Sequence, residues 1–276
     1  MPATLTDAEP VRLAEGDCLG VIRSFPAGSI GAVVTDPPYG ITNERYDSTS
    51  AAVFDAAYWS ELARVCGPNA GSLSFGHTST YHRMAWAAEQ GGWKVRQMWA
   101  WVYRDGMITS AYPQEGFDRL APAMDPILYA TRGKVLLNVE RQGADGWRRE
   151  RNTPRAAALT LSDRSSRERA TSAVGRYPRA IVSDSSDGWE YFALPRAGRY
   201  RTTEHPNEKP LALMRWLIAK LPGAVILDPY AGSGTTLEAA AIEGRRAIGI
   251  EVNPAYAAIA RRRIEGSRPS NRYAHL

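Results

Sequence analysis

Four consecutive residues, Asp36-Pro37-Pro38-Tyr39, place a carboxylate, rigid backbone carbonyls and an aromatic ring at the end of a short apolar run, Ala32 to Thr35. Prolines cannot continue a central strand, so the run must stop there and leave Asp36 at its edge. This set suits a weakly nucleophilic nitrogen. The exocyclic amine of adenine or cytosine is one, because its lone pair is delocalised into the ring. Hydrogen bonds from its N–H groups to Asp36 and to the Pro37 carbonyl would draw it toward tetrahedral geometry. They would also stabilise the positive charge that develops as it takes a methyl group. The prolines hold that carbonyl in place, and Tyr39 can stack on a base taken out of a duplex. The plainer reading of the same residues is a rigid turn with a core tyrosine.

A second constellation runs Asp228-Pro229-Tyr230-Ala231-Gly232-Ser233-Gly234-Thr235 after the apolar run Val225-Ile226-Leu227. A strand that delivers a tight glycine turn and then a helix lets a ligand approach the backbone closely. Glu251 stands nineteen residues after Gly232, at the end of the next apolar run. An acid at that spacing hydrogen-bonds ribose hydroxyls in nucleoside-binding α/β folds. Thr235-Thr236 follow Gly234, so the loop lacks the third glycine of a dinucleotide fingerprint, and no lysine follows as in a phosphate loop. A cofactor with ribose and no pyrophosphate fits, and S-adenosylmethionine is the candidate. The alternative is a glycine turn used only for packing.

These residues need elements to hold them. Apolar spacing predicts a helix over Val53–Cys66, with Trp59, Leu62, Ala63 and Cys66 on one face and Gly67-Pro68 as its stop. A strand around Leu73 and Phe75, a helix over Thr78–Gln90 and strands over Trp93–Tyr103 and Pro126–Thr131 follow. Lys209–Leu221 reads as a helix with Pro210 in its first turn and Leu211, Met214, Leu217, Ile218 and Leu221 as its stripe. A strand over Val225–Leu227, a helix over Thr235–Glu243, a strand over Ala247–Ile250 and a helix over Pro254–Ile264 complete the chain. Alternating strands and helices predict an α/β fold, a doubly wound, mostly parallel sheet covered on both faces.

Composition sets the outer limits. The chain has 276 residues, 44% hydrophobic and 23% charged, enough for one large α/β domain or two small ones. That excludes a coiled coil, a collagen-like chain and a wholly disordered one. Cys18 and Cys66 cannot make a disulfide framework and read as buried small apolar residues in a reducing compartment. Residues 1–10 hold two acids and no apolar centre, unlike a signal peptide, and no run approaches the roughly 18 apolar residues of a membrane span. A cytoplasmic protein is expected. No Cys/His cluster has zinc spacing, so no metal is expected.

Charge is concentrated in one stretch. Arg141 to Arg179 holds ten arginines and four acids, a balance of +6 in a chain of net charge +5, so the remainder carries −1. Aromatics stand close by at Trp147, Tyr177, Trp189, Tyr191 and Phe192. Arginines hold phosphates and aromatics stack at bases, so a nucleic-acid-reading insert is one reading and a solvated insertion is the other.

Asp36-Pro37-Pro38-Tyr39 together with Asp228-Pro229-Tyr230-Ala231-Gly232-Ser233-Gly234 resembles the motifs of the DNA amino-methyltransferases, in the order of their beta class. Gly16-Asp17-Cys18-Leu19, ahead of the catalytic strand, and His205-Pro206-Asn207-Glu208-Lys209-Pro210 are similar to two further motifs of that family. The resemblance covers residues 11–132 and 203–264. It implies a Rossmann-like methyltransferase fold with permuted motif order, S-adenosylmethionine as cofactor, and methyl transfer to adenine N6 in DNA. Cytosine N4 is the alternative, disfavoured because the family's cytosine enzymes more often begin the catalytic motif with serine. Asp36, Pro37, Pro38 and Tyr39 would act on the base. Asp17 would contact the adenosine and Lys209 would line the methionine side. Asp228, Pro229, Tyr230, Ala231, Gly232, Ser233, Gly234, Thr235 and Glu251 would complete the cofactor site.

The basic stretch falls where the family has its target recognition domain, which makes Arg148, Arg149, Arg151, Arg155, Arg164 and Arg167 candidate DNA contacts. The implied organisation is a catalytic half over 1–134, a recognition insert over 135–203, a cofactor half over 204–266 and a tail over 267–276. Ile41 to Ala52 would form a lid. Double-stranded DNA with a flipped target base is the implied partner, with no membrane partner. A homodimer and a cognate restriction nuclease are compatible with it. The sequence departs from the family at Tyr230, where phenylalanine is commoner, and in its short insert. Two other classes stay open: a catalytically silent DNA-binding relative, and an RNA or protein amide methyltransferase.

Overall fold

In the strand Ile30–Thr35, Ala32 and Val34 point to one face of the sheet and Val33 to the other, and all three are fully buried. That alternation, with apolar residues on both faces, is what a central strand covered by helices on two sides requires. The computed structural model describes residues 10–41, 52–102, 124–138, 203 and 208–267, with the backbone of 181–183.

The elements, in chain order, are β1 (Val11–Glu15), α1 (Cys18–Arg23), β2 (Ile30–Thr35), α2 (Ala56–Val65), β3 (Cys66–Phe75), α3 (Tyr81–Gln90), β4 (Lys94–Val102), β5 (Met124–Thr131), β6 (Ile181–Ser183), α4 (Leu211–Lys220), β7 (Val225–Asp228), α5 (Thr235–Ile242), β8 (Arg246–Glu251) and α6 (Pro254–Gly266). They form one sheet of eight strands in the order β1-β8-β7-β2-β3-β5-β4-β6. Only β5 runs against its neighbours, antiparallel to both β3 and β4. The helices α1, α2 and α3 pack on the face that carries Val33, Leu227, Ile248 and Ile250. On the opposite face, α4 and α5 cover Ala32, Val34, Leu73, Phe75, Ile226 and Ala247. The sheet is thus doubly wound and mostly parallel, as expected.

Local chemistry starts the helices. Asp17, Asp55 and Asn253 each accept a hydrogen bond from a first-turn N–H, of Gly20, Ala57 and Ala255 respectively, and Pro254 opens α6. The apolar side of α2 buries Tyr58, Trp59, Leu62, Ala63 and Val65. Burial of a side chain such as Leu62 stabilises the fold by about 1.5–3 kcal/mol. The Trp59 indole N–H is satisfied within this core by the Val53 carbonyl at 2.8 Å.

Four local differences from the sequence expectations have physical causes. Helix α2 begins at Ala56 because Asp55 caps it and Ala52–Phe54 form a 3₁₀ turn. Cys66-Gly67-Pro68 does not merely end that helix but opens β3, and the register slips between Ile30↔Cys66 and Ala32↔Gly71, which makes room for Pro68. Strand β1 has no counterpart in the expected elements, because its mixed side chains are only half-buried at the sheet's edge. Finally, β6 lies inside the span 135–203 assigned to the insert and pairs with β4. At that span's other end, Asn138 donates its backbone N–H to Lys220 at 2.9 Å. Residues 139–180, which hold the whole basic stretch, lie outside the described residues. Among the described residues no helix is long and apolar enough to cross a membrane.

Candidate active site

Strands β2 and β7 are neighbours, but the helix after β2 lies on one face of the sheet and the helix after β7 on the other. The chain therefore leaves the two strands in opposite directions and opens a crevice at their carboxyl ends, the usual ligand position in open α/β sheets. Both motifs sit there. The Thr35 hydroxyl donates to Asp228 Oδ1 at 2.7 Å, and the Tyr230 backbone N–H donates to the same oxygen at 3.1 Å. This buried carboxylate ties the end of β2 to the glycine loop after β7.

Burial pushes the Asp228 carboxyl up to about 6, against the lowering effect of hydrogen bonds from Thr236, Thr35 and Tyr230. The folded protein thus holds the Asp228 proton more tightly than the unfolded chain does. As pH falls from about 6 toward 4, wild type should gain stability relative to Asp228→Asn, by about 2–3 kcal/mol in all. Unfolding of both proteins at pH 4, 5, 6 and 7 checks this, and a difference that does not change with pH would refute it.

The cofactor loop is held by its own backbone. Ala231 donates to the Ile250 carbonyl at 2.9 Å. Gly232 and Gly234 both have left-handed backbones, with φ of 52° and 83°. A Cβ on Gly234 would also come within 2.9 Å of Ala260 Cβ on α6, so only glycine fits. Glu251 closes the loop: its Oε2 accepts from Gly232 N–H and its Oε1 from Asn253 N–H, both at 2.8 Å. Burial pushes the Glu251 carboxyl upward, while N–H groups of Asn253, Gly232 and Val252 oppose that. Gly16 donates to the Glu251 carbonyl at 3.0 Å, which brings Asp17 beside the loop, although the Asp17 carboxylate itself caps α1.

These residues fit a nucleoside group that lacks pyrophosphate. An acid is aimed at the glycine loop. The cation that reaches the loop's end, Arg263 on Thr235, is bonded to Glu208 and lies 3.6 Å from Glu238. Tyr230, the departure from the family's phenylalanine, has its hydroxyl 3.4 Å from the Cys18 thiol, which donates to it, and its ring centroid 6.0 Å from that of Tyr58. Both cysteines are free and buried. Burial raises the Cys18 thiol and pushes Cys66 up to about 12, which keeps Cys66 an unreactive thiol at neutral pH.

In the catalytic motif, Asp36 Oδ1 accepts from the Tyr39 hydroxyl at 2.6 Å and Oδ2 pairs with Lys209 Nζ at 2.7 Å. Lys209 also donates to the Tyr39 hydroxyl at 3.2 Å and lies 3.8 Å from Asp125 Oδ2 and 5.1 Å from the Phe75 ring centre. Burial pulls the Lys209 ammonium down, but Asp36 and Asp125 outweigh it and hold it above the ordinary lysine range. Thr80 steadies the motif by donating to the Tyr39 carbonyl at 3.1 Å. The stretch that carries Lys209 is itself anchored, because Glu208 pairs with Arg263 of α6 and accepts from Thr203 at 2.8 Å.

The structure therefore brings together the expected residues Asp36, Tyr39 and Lys209 at one end of the crevice, and Asp17, Gly232, Gly234, Thr235 and Glu251 at the other. Lys209, expected on the methionine side of the cofactor, stands on the Asp36 carboxylate. Asp125, Thr35, Thr80 and the Glu208–Arg263 pair were not expected. The predicted strand starts at Pro126 and leaves out Asp125, and nothing in those residues tells that β5 runs backwards and starts at the crevice. The six candidate DNA-contact arginines, lid residues 42–51 and residues 205–207 lie outside the described residues. No group of three or more His, Cys, Asp or Glu among the described residues could hold a metal ion.

Known proteins share this fold. The DNA adenine methyltransferase YhdJ of Escherichia coli (strain K12) is 23% identical over 293 residues, covering 94% of this chain and 87% of that protein. The solved structure of the M1.HpyAVI–SAM complex superposes with a TM-score of 0.55 at 21% identity, covering 92% of this chain and 99% of that one. The cytosine-N4-specific PvuII DNA methyltransferase superposes with a TM-score of 0.61 at 16% identity, covering 92% and 86%. Residues 30–262 match the family model for N6/N4 DNA methylases, a span that runs from the first residue of β2 into α6 and takes in both motifs, and the chain belongs to that DNA methylase family.

Proposed function

We propose that this protein transfers a methyl group from S-adenosylmethionine to the exocyclic amine of adenine, N6, in DNA. The observation that carries this is the single crevice in which an amine-binding carboxylate, Asp36, and a glycine loop closed by Glu251 are joined through Thr35 and Asp228. When bound, the sulfonium of S-adenosylmethionine supplies the methyl carbon, and its sulfur leaves as a neutral thioether. Asp36 and the Pro37 carbonyl accept the amine N–H groups and localise the lone pair that forms the new N–C bond. The nitrogen, then cationic, gives one proton to Asp36, which returns it to water. The Tyr39 hydroxyl occupies Asp36 Oδ1 in this structure, so the arriving amine displaces it and frees the ring to stack on the base.

An amine paired in a duplex cannot reach a carboxylate set in a crevice, which supports a flipped base. Aspartate at the head of the catalytic motif supports adenine. Cytosine N4 offers the same amine to the same carboxylate and is the second reading. Intact Asp36 and Glu251 speak against a silent relative. Sequencing of DNA from expressing cells, with detection of modified bases, tests this. N6-methyladenine at defined sites is expected, N4-methylcytosine would move the reading to the other base, and unmodified DNA would overturn it.

The basic stretch Arg141–Arg179 is proposed to hold and read the DNA. With Arg148, Arg149 and Arg151 neutralised together, the slope of log affinity against log salt should fall by about one for every phosphate these arginines neutralise. An arginine on guanine should instead relax one position of the site, at about 1–3 kcal/mol. Titration of duplex across salt gives the answer, and an unchanged slope with an unchanged methylation pattern would remove that cluster from the interface.

A further inference from the structure

We propose that Lys209 and Asp125 are positioning residues for methyl transfer, so that the acceptor nitrogen meets a three-charge cluster and not Asp36 alone. This rests on the reading of Asp36 as the carboxylate that binds the amine. The cluster is assembled from three distant parts of the chain. Asp36 ends β2. Asp125 stands at the start of β5, which reaches this edge only because β5 is reversed, and Gly76 N–H fixes it by donating to the Pro126 carbonyl at 2.9 Å. Lys209 enters from the segment before α4, which the buried pair Glu208–Arg263 holds in place. The side chains of Lys209 and Asp125 are only 11% and 10% exposed, and Phe75 beside them is fully buried, so their charges act where water screens little.

Two consequences follow from the distances. Lys209 sits at 2.7 Å on Oδ2 of Asp36, which reserves Oδ2 for the ammonium and leaves Oδ1, where Tyr39 now sits, for the amine. The second concerns sign. Asp36 and Lys209 alone form a neutral pair, whose ammonium would repel a nitrogen turning cationic. Asp125, 3.8 Å from that ammonium, adds a second negative charge beside it. Asp125 thus restores the attraction that Lys209 would otherwise cancel, while Lys209 keeps the two carboxylates from repelling each other.

The charge count makes a test that simple loss of packing does not mimic. The full chain is compared with Asp125→Asn, Lys209→Met and the double variant, using labelled S-adenosylmethionine and unmethylated bacterial DNA under single turnover. Asp125→Asn should slow transfer about 10-fold and Lys209→Met about 10²-fold, with cofactor affinity by calorimetry within about twofold in each. The double variant loses one charge of each sign, so it keeps the wild-type charge balance and should be faster than Lys209→Met alone. Thermal unfolding should show the same recovery. Single variants within twofold of wild type, or a double variant whose loss is the product of the two, as independent sites give, would overturn the proposal. A wild type that transfers nothing to DNA would overturn the reading of Asp36 instead. The unfolding cycle then still decides on the cluster, since additive shifts would refute it.

Discussion

Replacing Asp36 with alanine should lower the rate of methyl transfer by at least about 10²-fold and leave affinity for S-adenosylmethionine within a few fold. The asymmetry follows from where the carboxylate stands. It faces Tyr39 and Lys209 and makes no bond to the Gly232–Gly234 loop, so cofactor capture does not depend on it. What alanine removes is the acceptor proposed to localise the amine lone pair and offset its growing charge. Alanine also leaves Lys209 with Asp125 as its carboxylate partner, at 3.8 Å, so Asp36→Asn belongs beside it as a variant of unchanged shape. Asparagine keeps an oxygen for Tyr39 but loses the charge and turns an N–H donor toward Lys209, and it too should be slow. Rates from labelled cofactor and affinities from calorimetry separate the two quantities. Near-normal turnover in either folded variant would make the motif a turn and not a catalytic site.

Glu251→Ala should weaken S-adenosylmethionine binding by about 1–3 kcal/mol, the cost of one charged hydrogen bond. The structure adds a second route to the same loss. Each Glu251 oxygen also accepts a backbone N–H, from Gly232 and from Asn253, so alanine frees the loop as well as removing the acceptor proposed for ribose. Glu251→Gln separates the routes, because its one carbonyl oxygen can still hold Gly232 while the charge is gone. Calorimetry that finds unchanged affinity for a folded Glu251→Ala protein would take the ribose contact away from this residue.

Short-range signals carried much of this into the sequence. Asp36 at the end of an apolar run, the glycine loop after Leu227, and Glu251 nineteen residues beyond Gly232 each advertise their place through local spacing, and the fold sets them around one crevice. Strand direction is not local. Nothing in Met124–Thr131 distinguishes a forward strand from a reversed one, so Asp125 looks like a residue before a proline until β3 and β4 are seen on either side. The same holds for Lys209, whose partner is set by which strands lie side by side. Edge strand β1 escaped because amphipathic alternation fades in a half-buried strand with a single strand neighbour. The tyrosine at position 230 made sense only once the Cys18 thiol was found against its hydroxyl.

Thr35 and Asp228 touch across a separation of 193 residues, so the middle of the sheet is the part that must wait for the rest of the chain. Pairings of such long range slow folding. A ribosome adding about 5–20 residues per second finishes β2 roughly 10–40 s before β7 exists. In that interval β2 can pair with β3, but its other edge, the flank of Ala32 and Val33 that later binds Ile226 and Leu227, stands open. An open apolar strand edge is a template for aggregation, so the nascent chain is most exposed to it at that stage. By the same timing, a chain that stops short of Asp228 has an open strand edge and lacks both the Gly232–Gly234 loop and Glu251.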